Sequence, residues 1–287
     1  MSDLLIDAPT LIDKLPASGW LVFDVRHDLA DHAAGRAAYE QGHIPGALYL
    51  DHESQLSATR TGKNGRHPLP SRSEFAALMR AQGLIPDTMV VVYDGGNSMY
   101  AAHLWWMLRW LGHGNVAVLD GGWPAWVAAG GAVERGAGVP AITEAQAIEN
   151  PGYPGQAGMP TVDAHQVLAN IHEPSFTVLD ARAANRYRGE VEPMDPVAGH
   201  IPGALNRPNT LNVRDDGRFK SAAELRHDFN EVLQGRRADQ IVHQCGSGIT
   251  ASHNLFAMEL AGLHGSALYP GSWSEWCSDP ARPVARG

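Results

Sequence analysis

The chain has 287 residues, a net charge of −9 and a hydrophobic fraction of 44%. This length suits two domains better than one, and the composition is that of a globular protein. The negative charge argues against binding to nucleic acids or to anionic membranes, and no apolar run is long enough to span a bilayer. The acidic N-terminus lacks the features of a signal peptide, so we expect a cytoplasmic protein.

The first half alternates short β-type runs with helical stretches, which is typical of a parallel sheet covered by helices. Apolar runs predict strands at residues 20–24, 47–50, 89–93 and 116–119. The stretch 98–111 is apolar almost all round and contains Trp105, Trp106 and Trp110. It therefore predicts a helix that is buried in a core, and not a stacking platform for a cofactor.

The second half repeats this alternation. Strands are predicted at residues 177–180, 204–207, 240–244 and 267–269, and a buried helix at 249–260 that ends before Gly262. We therefore expect an α/β fold with two tandem domains, residues 1–135 and 159–287, each a mostly parallel sheet flanked by helices. The stretch 136–158 is rich in Gly and Pro and predicts a linker.

Several short blocks recur in both halves, in the same order and at an offset of about 150 residues, as expected of an internal duplication. The sequence Asp-x-Arg follows a predicted strand at 24–26 and at 180–182, and Gly-His-Ile-Pro-Gly-Ala occurs at 42–47 and at 199–204. At one position the copies differ, because Asp94 of the first corresponds to Cys245 of the second. Only the second copy carries a potential nucleophile, and we expect the chemistry there.

The other repeated residues predict structural roles. Asp24 and Asp180 are expected to pair with the arginine two positions further on. His43 and His200 are expected to support the fold, because the copy without the cysteine keeps its histidine. The 14 histidines are scattered singly along the sequence, and none clusters with either cysteine at metal-ligand spacing, so no metal site is predicted.

The segment around Cys245 lies between an apolar β run and a helix. Such a junction directs successive backbone N–H groups, and the N-terminus of the helix, into the loop. Gly246 and Gly248 allow a tight turn, and the hydroxyls of Ser247 and Thr250 add donors. This setting favours the thiolate form of the cysteine, which is the nucleophile. Cys277, near the C-terminus, is expected to be a bystander.

The loop 245–251, Cys-Gly-Ser-Gly-Ile-Thr-Ala, together with the paired His-Ile-Pro-Gly-Ala blocks and the Asp-x-Arg strand ends, resembles the tandem-domain rhodanese-type sulfurtransferases over essentially the whole chain. The loop is most similar to that of the 3-mercaptopyruvate sulfurtransferases, whereas thiosulfate sulfurtransferases typically have Arg and Lys where this chain has Gly246 and Ser247. The resemblance implies transfer of sulfur from 3-mercaptopyruvate, through a persulfide on Cys245, to cyanide, a thiol or thioredoxin. No cofactor is implied.

The resemblance also implies further site residues. Arg186 matches the family arginine that binds the anionic donor, and its neighbour Arg188 is a weaker candidate. Ser247 matches a serine that works with a histidine and a carboxylate of the first domain. The best matches for these are His67 and Glu53, although the family usually has Asp at the latter position. The remaining donor-binding positions lie in the loop: Gly246, Gly248, Ile249 and Thr250.

One position departs from the family pattern. Met194 stands where mercaptopyruvate enzymes carry a second arginine for the donor. Its loss weakens the prediction of mercaptopyruvate as the donor, unless another arginine, such as Arg207 or Arg214, takes its place. Two alternatives therefore stay open: a thiosulfate sulfurtransferase, and a module that carries a persulfide without turning over small donors.

A cysteine phosphatase is a further rival, because these enzymes also place a cysteine in an amide-lined loop before a helix. They require an arginine after five intervening residues to bind the phosphate. This chain has Ala251 at that position, which makes the phosphatase reading the weakest of the four.

Overall fold

The computed structural model describes residues 4–17, 19–138 and 158–287. They divide into two compact units. The first unit comprises the described residues up to Ala58, those of Pro70–Gly158, and Asp215–Phe219. The second comprises Thr59–Leu69, Met159–Arg214 and Lys220–Gly287. Most of the predicted linker, residues 139–157, lies outside the described part of the chain, and the predicted domain limits stay a prediction.

The first unit is built on a parallel sheet. Its strands are β1 (Leu5–Ile6), β2 (Leu21–Asp24), β3 (Leu48–Tyr49), β4 (Val90–Tyr93) and β5 (Val116–Leu119), in the spatial order β1-β5-β4-β2-β3. Its helices are α1 (Ala8–Lys14), α2 (Ala34–Gln41), α3 (Arg72–Ala81), α4 (Met99–Leu111) and α5 (Gly122–Ala128). Each strand predicted for this half is present, with bounds shifted by at most one residue. The two-residue strand β1 was not predicted.

Helix α4 forms the centre of the first unit's core. Trp105 and Trp106 are fully buried, and Trp110 is nearly so. The strands β4 and β5 are buried along their whole length, which explains why their sequences are continuous apolar runs without the alternation of a one-sided sheet. The predicted core role of the three tryptophans is confirmed.

The second unit repeats this plan. Strands β6 (Thr177–Asp180), β7 (Leu205–Asn206), β8 (Ile241–Gln244) and β9 (Ala267–Leu268) form a parallel sheet in the order β7-β6-β8-β9. The helices are α6 (Ala164–His172), α7 (Ala184–Tyr187), α8 (Ala222–Leu233), α9 (Ile249–Leu260) and α10 (Ser272–Trp276). The predicted buried helix is α9, with the predicted bounds. The α/β class and the duplicated parallel sheets are thus confirmed.

The Asp-x-Arg sequences form buried ion pairs in both units. Arg26 donates to both carboxylate oxygens of Asp24 and to the carbonyl of Gly42. Arg182 makes the same contacts with Asp180 and Gly199. The predicted pairing is confirmed, and each arginine also connects the end of its strand, β2 or β6, to the Gly-His-Ile-Pro block.

The repeated histidines have equivalent surroundings. His43 stacks on Tyr39 at a centroid distance of 3.8 Å, and its Nδ1 lies 2.8 Å from the carbonyl oxygen of the same residue. His200 stacks on Tyr187 with the same two distances. These contacts are local and identical in a unit with the cysteine and a unit without it, so the predicted structural role is confirmed. Among the described residues, no helix combines the length and apolar character that crossing a membrane requires.

Candidate active site

Cys245 lies at the carboxyl end of β8, immediately before the loop that leads into α9. The residue is 2% exposed. The backbone N–H groups of Ser247 and Gly248 point at Sγ, with N···S distances of 3.4 and 3.1 Å. Two N–H donors at the start of a helix stabilise negative charge on the sulfur. The loop is therefore suited to hold a thiolate, and afterwards the terminal sulfur of a persulfide.

The two loop glycines are required for different reasons. Gly248 has a φ of 93°, and a Cβ there would lie 2.7 Å from the carbonyl oxygen of Pro270. Gly246 leaves space for a guanidinium, because a Cβ at this position would lie 2.7 Å from Nη2 of Arg66. The two other loop residues that are predicted to bind the donor are at the start of α9. Ile249 is its first residue and is buried, and Thr250 is half-buried.

The backbone of the cysteine is fixed by the start of α10. Ser272 Oγ accepts a hydrogen bond from the N–H of Cys245 (3.1 Å), and the N–H of Trp273 donates to the carbonyl of Cys245 (2.9 Å). Ser274 binds the carbonyl of Gly246 in the same way. The segment Gly271-Ser272-Trp273 thus supports the cysteine loop, and the first half has a similar Gly-x-Trp sequence at 121–123.

Two guanidinium groups flank Gly246. Those of Arg66 and Arg186 lie 2.7 and 3.8 Å from the position that a Cβ of Gly246 would occupy. Arg186 donates to Glu192 (2.6 and 3.2 Å), and both arginines contact Asp195. Arg186 had been predicted from its motif. Arg66 was missed, although it directly precedes the predicted His67.

A third arginine lies deeper. Burial acts to lower the pKa of Arg182, but the charges of Asp180, Glu192 and Cys245 outweigh it, and the pKa is raised. Its guanidinium also packs over the ring of Trp273, 4.6 Å from the centroid. Arg182 is thus a permanent positive charge close enough to act on the cysteine sulfur.

The arginines proposed as substitutes for the one lost at Met194 lie elsewhere. Arg207 is buried against Asn212 and Asp228, and Arg214 pairs with Glu224 at the surface. Burial lowers the pKa of Arg207 to about 10. Neither of these contact sets includes the cysteine loop, whereas the guanidinium of Arg66 lies beside Gly246. Met194 itself is exposed.

The predicted Ser-His pair is in contact. His67 Nδ1 lies 2.8 Å from Ser247 Oγ, and both residues are buried. His67 belongs to the second unit, through the segment Thr59–Leu69. Glu53 belongs to the first unit, where its carboxylate lies 3.8 Å from His27 and 3.7 Å from His32. Arg188 is exposed and pairs with Glu190.

The loop of the first unit that corresponds to the cysteine loop holds its own anion. The Asp94 carboxylate accepts hydrogen bonds from the N–H groups of four residues at the start of α4: Gly96, Ser98, Tyr100 and Ala101. Burial raises the pKa of Asp94, and the N–H donors act in the opposite direction. In the second unit the loop N–H groups face Sγ of Cys245, whereas in the first unit the corresponding N–H groups bind the carboxylate of Asp94.

Comparisons with known proteins identify the family of this chain. The Rhodanese-like domain family matches residues 7–129 and 163–279. The "Probable 3-mercaptopyruvate sulfurtransferase" of Pseudomonas aeruginosa is 46% identical over 99% of this chain and 98% of its own length. The "Putative thiosulfate sulfurtransferase SseB" of Mycobacterium tuberculosis is 43% identical, over 99% and 97%.

Solved structures are similar over nearly the whole chain as well. The structure of 3-mercaptopyruvate sulfurtransferase from Leishmania major has a TM-score of 0.84 and 30% identity, and the match covers 98% of this chain and 76% of that one. The structure of SseA from Escherichia coli, a 3-mercaptopyruvate sulfotransferase, has a TM-score of 0.77 and 32% identity, with coverage of 95% and 99%. With a duplicated sheet, a cysteine loop in the second copy and these relatives, the chain belongs to the rhodanese-like family and carries two rhodanese-like domains.

Proposed function

We propose that this protein is a sulfurtransferase that takes sulfur from 3-mercaptopyruvate onto Cys245. The observation that carries the proposal is the placement of Sγ of Cys245 opposite two loop N–H groups, with the guanidiniums of Arg66 and Arg186 beside the same loop. The first feature supports a persulfide anion, and the second supports a carboxylate on the donor. The relative from Pseudomonas aeruginosa carries the same activity in its name.

The reaction has two covalent steps. The Cys245 thiolate attacks the sulfur of the donor, the carbon–sulfur bond breaks, and its electron pair leaves on carbon as the enolate of pyruvate. A proton then converts this enolate to pyruvate, and the sulfur stays on Cys245 as a persulfide. In the second step an acceptor (cyanide, a small thiol or the thiolate of a thioredoxin) attacks the outer sulfur and regenerates the Cys245 thiolate.

The need for a proton favours mercaptopyruvate over thiosulfate. Sulfite leaves thiosulfate as a stable anion, whereas the pyruvate enolate must be protonated. Ser247 lies in the cysteine loop, two residues after Cys245, and its hydroxyl, hydrogen-bonded to His67, is suited to deliver that proton. This pair has no evident task in the thiosulfate reaction.

One observation favours a second candidate, a persulfide carrier that works with a dedicated protein partner. Glu192 and Asp195 already pair with the two arginines of the loop. Burial acts to raise the pKa of Glu192, but its hydrogen bonds, chiefly that from Arg186, lower it, so the carboxyl stays ionised. A small anionic donor must compete with these internal carboxylates for the guanidiniums, which weakens its binding.

Steady-state kinetics separate the three readings. We expect the kcat/KM for 3-mercaptopyruvate, with cyanide as acceptor, to exceed that for thiosulfate by at least about tenfold, which corresponds to about 1.4 kcal/mol. A ratio in favour of thiosulfate supports the thiosulfate enzyme. No turnover of either donor, with a mass increase of one sulfur atom on Cys245, supports the carrier. Activity that survives in Cys245→Ser contradicts all three.

The same chemistry bears on the cellular compartment in which the protein works. A thiolate nucleophile needs a reducing compartment, and both cysteines of the chain are free thiols. These points support the cytoplasm, where low-molecular-weight thiols and thioredoxins are available as acceptors.

A further inference from the structure

The first unit gathers histidines that are far apart in the sequence. The ring centroid of His27 lies 5.6 Å from that of His32 and 5.6 Å from that of His52. The ring of His103 lies 5.1 Å from that of His52. These four histidines, which are single residues in the sequence, form a cluster because the fold brings the loop after β2, the segment after β3 and helix α4 together.

Glu53 adds a carboxylate to one side of this cluster. Its Oε1 lies 3.8 Å from Nε2 of His27 and 3.7 Å from Nδ1 of His32. One ligand atom from each of the three residues lies within 4.8 Å of the other two. The three atoms are therefore close enough together for a single ion to contact all of them.

The ring of His27 is left without hydrogen bonds. Its side chain is 0% exposed, and neither Nδ1 nor Nε2 has a hydrogen-bond partner among the described residues. Most buried polar side-chain atoms of native proteins do have a partner, and leaving one without a partner is destabilising. A ligand that is not part of the chain would remove this cost, and the unpartnered ring is directed at the point shared with His32 and Glu53.

We propose that His27, His32 and Glu53 bind a divalent transition-metal ion of the zinc type. Two imidazoles and one carboxylate are a ligand set that zinc accepts, with one position left for water. Bond lengths of about 2.0–2.1 Å in a tetrahedron require ligand atoms roughly 3.4 Å apart. The two measured distances exceed this by only a few tenths of an ångström, and the exposed side chain of His32 is able to make the adjustment.

The surroundings favour a cation. His27 lines an open cleft of about 870 Å³ whose wall also contains Asp28, Asp215 and Asp216. Carboxylates in such a cleft raise the local concentration of cations.

This site lies in the unit that holds Asp94 in place of the cysteine. Of its three ligands, only Glu53 is among the residues that the family resemblance implies for sulfur transfer. The expected effect of the site is on stability, because an ion that binds the folded state alone shifts the unfolding equilibrium by mass action.

The test is a titration with Zn²⁺, in competition with a chromophoric chelator, on metal-free protein without a histidine tag. It is carried out in the Cys245→Ser background, so that the active-site thiol is not available as a ligand. We expect one equivalent to bind with a micromolar or lower Kd, and Zn²⁺ to raise the midpoint of thermal unfolding. Co²⁺ should give visible absorption without the charge-transfer band of a thiolate.

The decisive variants are His32→Ala and Glu53→Gln, because His32 is exposed and its removal is not expected to disturb the fold. Loss of residues that only support a ligand weakens metal binding about 10–100-fold, so loss of a ligand should weaken it by at least about 100-fold. The matched control is His165→Ala, an exposed histidine of the second unit, which should bind like the parent. Absence of saturable binding, or equal affinity in the two variants and the control, overturns the proposal.

Discussion

The imidazole of His67 and the hydroxyl of Ser247 are joined by a hydrogen bond of 2.8 Å across 180 positions of the chain. Both side chains are buried, although each lies in a loop. A buried hydroxyl and imidazole in contact behave as one unit for proton transfer, because either can pass a proton to the other. Because Ser247 lies in the cysteine loop, loss of this pair should affect the reaction with 3-mercaptopyruvate and the reaction with thiosulfate differently.

Removal of the serine hydroxyl is expected to separate the two donors. For Ser247→Ala we expect kcat with 3-mercaptopyruvate to fall about 10²–10⁴-fold, as is usual for the loss of a general acid. The kcat with thiosulfate should change less than about tenfold, since sulfite needs no proton. His67→Asn should show the same pattern. Ser278→Ala, a half-buried serine outside the loop, is the control, and an equal loss with both donors would contradict the assigned role.

The two arginines beside Gly246 are expected to control donor binding. Arg66→Met and Arg186→Met each remove a charged group, and a hydrogen bond to a charged group contributes about 1.5–3 kcal/mol, or roughly 10–150-fold in KM for the donor. The KM for cyanide, which attacks later, should change little. Arg237→Ala, an exposed arginine paired with Asp239, serves as control. If Arg66→Met leaves the donor KM unchanged, Arg66 only anchors Asp195.

Asp94 is expected to stabilise the first unit. Asp94→Ala leaves four N–H groups without their acceptor, and we expect a loss of about 3–5 kcal/mol in the free energy of unfolding, less than the sum of four separate penalties. Asp94→Asn keeps one oxygen and should lose about half as much. The comparison is made by urea unfolding with Asp87→Ala, an exposed aspartate, which should stay within about 0.5 kcal/mol of the parent.

His243 is expected to make stability depend on pH. It lies in β8, fully buried, and burial lowers its pKa from 6.5 to about 3. The unfolded chain therefore binds a proton below about pH 6.5 that the folded chain does not bind, and stability falls as the pH decreases. Between pH 7 and pH 5 this single group should remove about 2 kcal/mol.

The measurement is urea unfolding of the parent and of His243→Leu at both pH values. Other titrating groups contribute to both proteins, so the difference between their pH dependences isolates His243. The variant should lose about 2 kcal/mol less than the parent between pH 7 and pH 5. Parallel pH dependences would show that the pKa of His243 is the same in the folded and the unfolded chain.

The two cysteines are expected to differ in reactivity. Burial raises the pKa of Cys277 to about 11, so its thiol stays protonated at neutral pH and a thiol is a poor nucleophile. Limited treatment with iodoacetamide at pH 7.5, followed by peptide mass spectrometry, should label Cys245 first. Preincubation with 3-mercaptopyruvate should change the mass of the Cys245 peptide alone. Preferential labelling of Cys277 in the folded protein would contradict the assignment.

Periodicity and repetition were sufficient to predict most of the fold. Runs such as Val90–Tyr93 are buried on both faces, and their sequence is correspondingly apolar throughout. The strand β1, Leu5–Ile6, has two residues and pairs with the distant β5, so no local pattern announces it. The cysteine loop was predictable because its N–H donors, glycines and hydroxyls are consecutive in the chain.

The side chains that reach the site from distant segments were harder to predict. Arg66 lies in a loop without hydrophobic periodicity, and its neighbour Asp195 is 129 positions away. His27, His32 and Glu53 likewise have spacings that match no ligand motif. Their proximity results from the parallel order of β2, β3 and β4, which brings the segments after these strands to one edge of the sheet.

The absence of a side chain at Gly246 affects how the negative charge of the sulfur donor is bound. The guanidinium of Arg66 occupies the space that a side chain at position 246 would fill. In the thiosulfate-type loops, which this chain resembles less, an arginine follows the cysteine at this same position. The positive charge can therefore come from the loop or from a neighbouring segment, and the two sources exclude each other sterically. Relatives should carry one or the other, and Gly246→Arg should expel Arg66 and move donor preference toward thiosulfate.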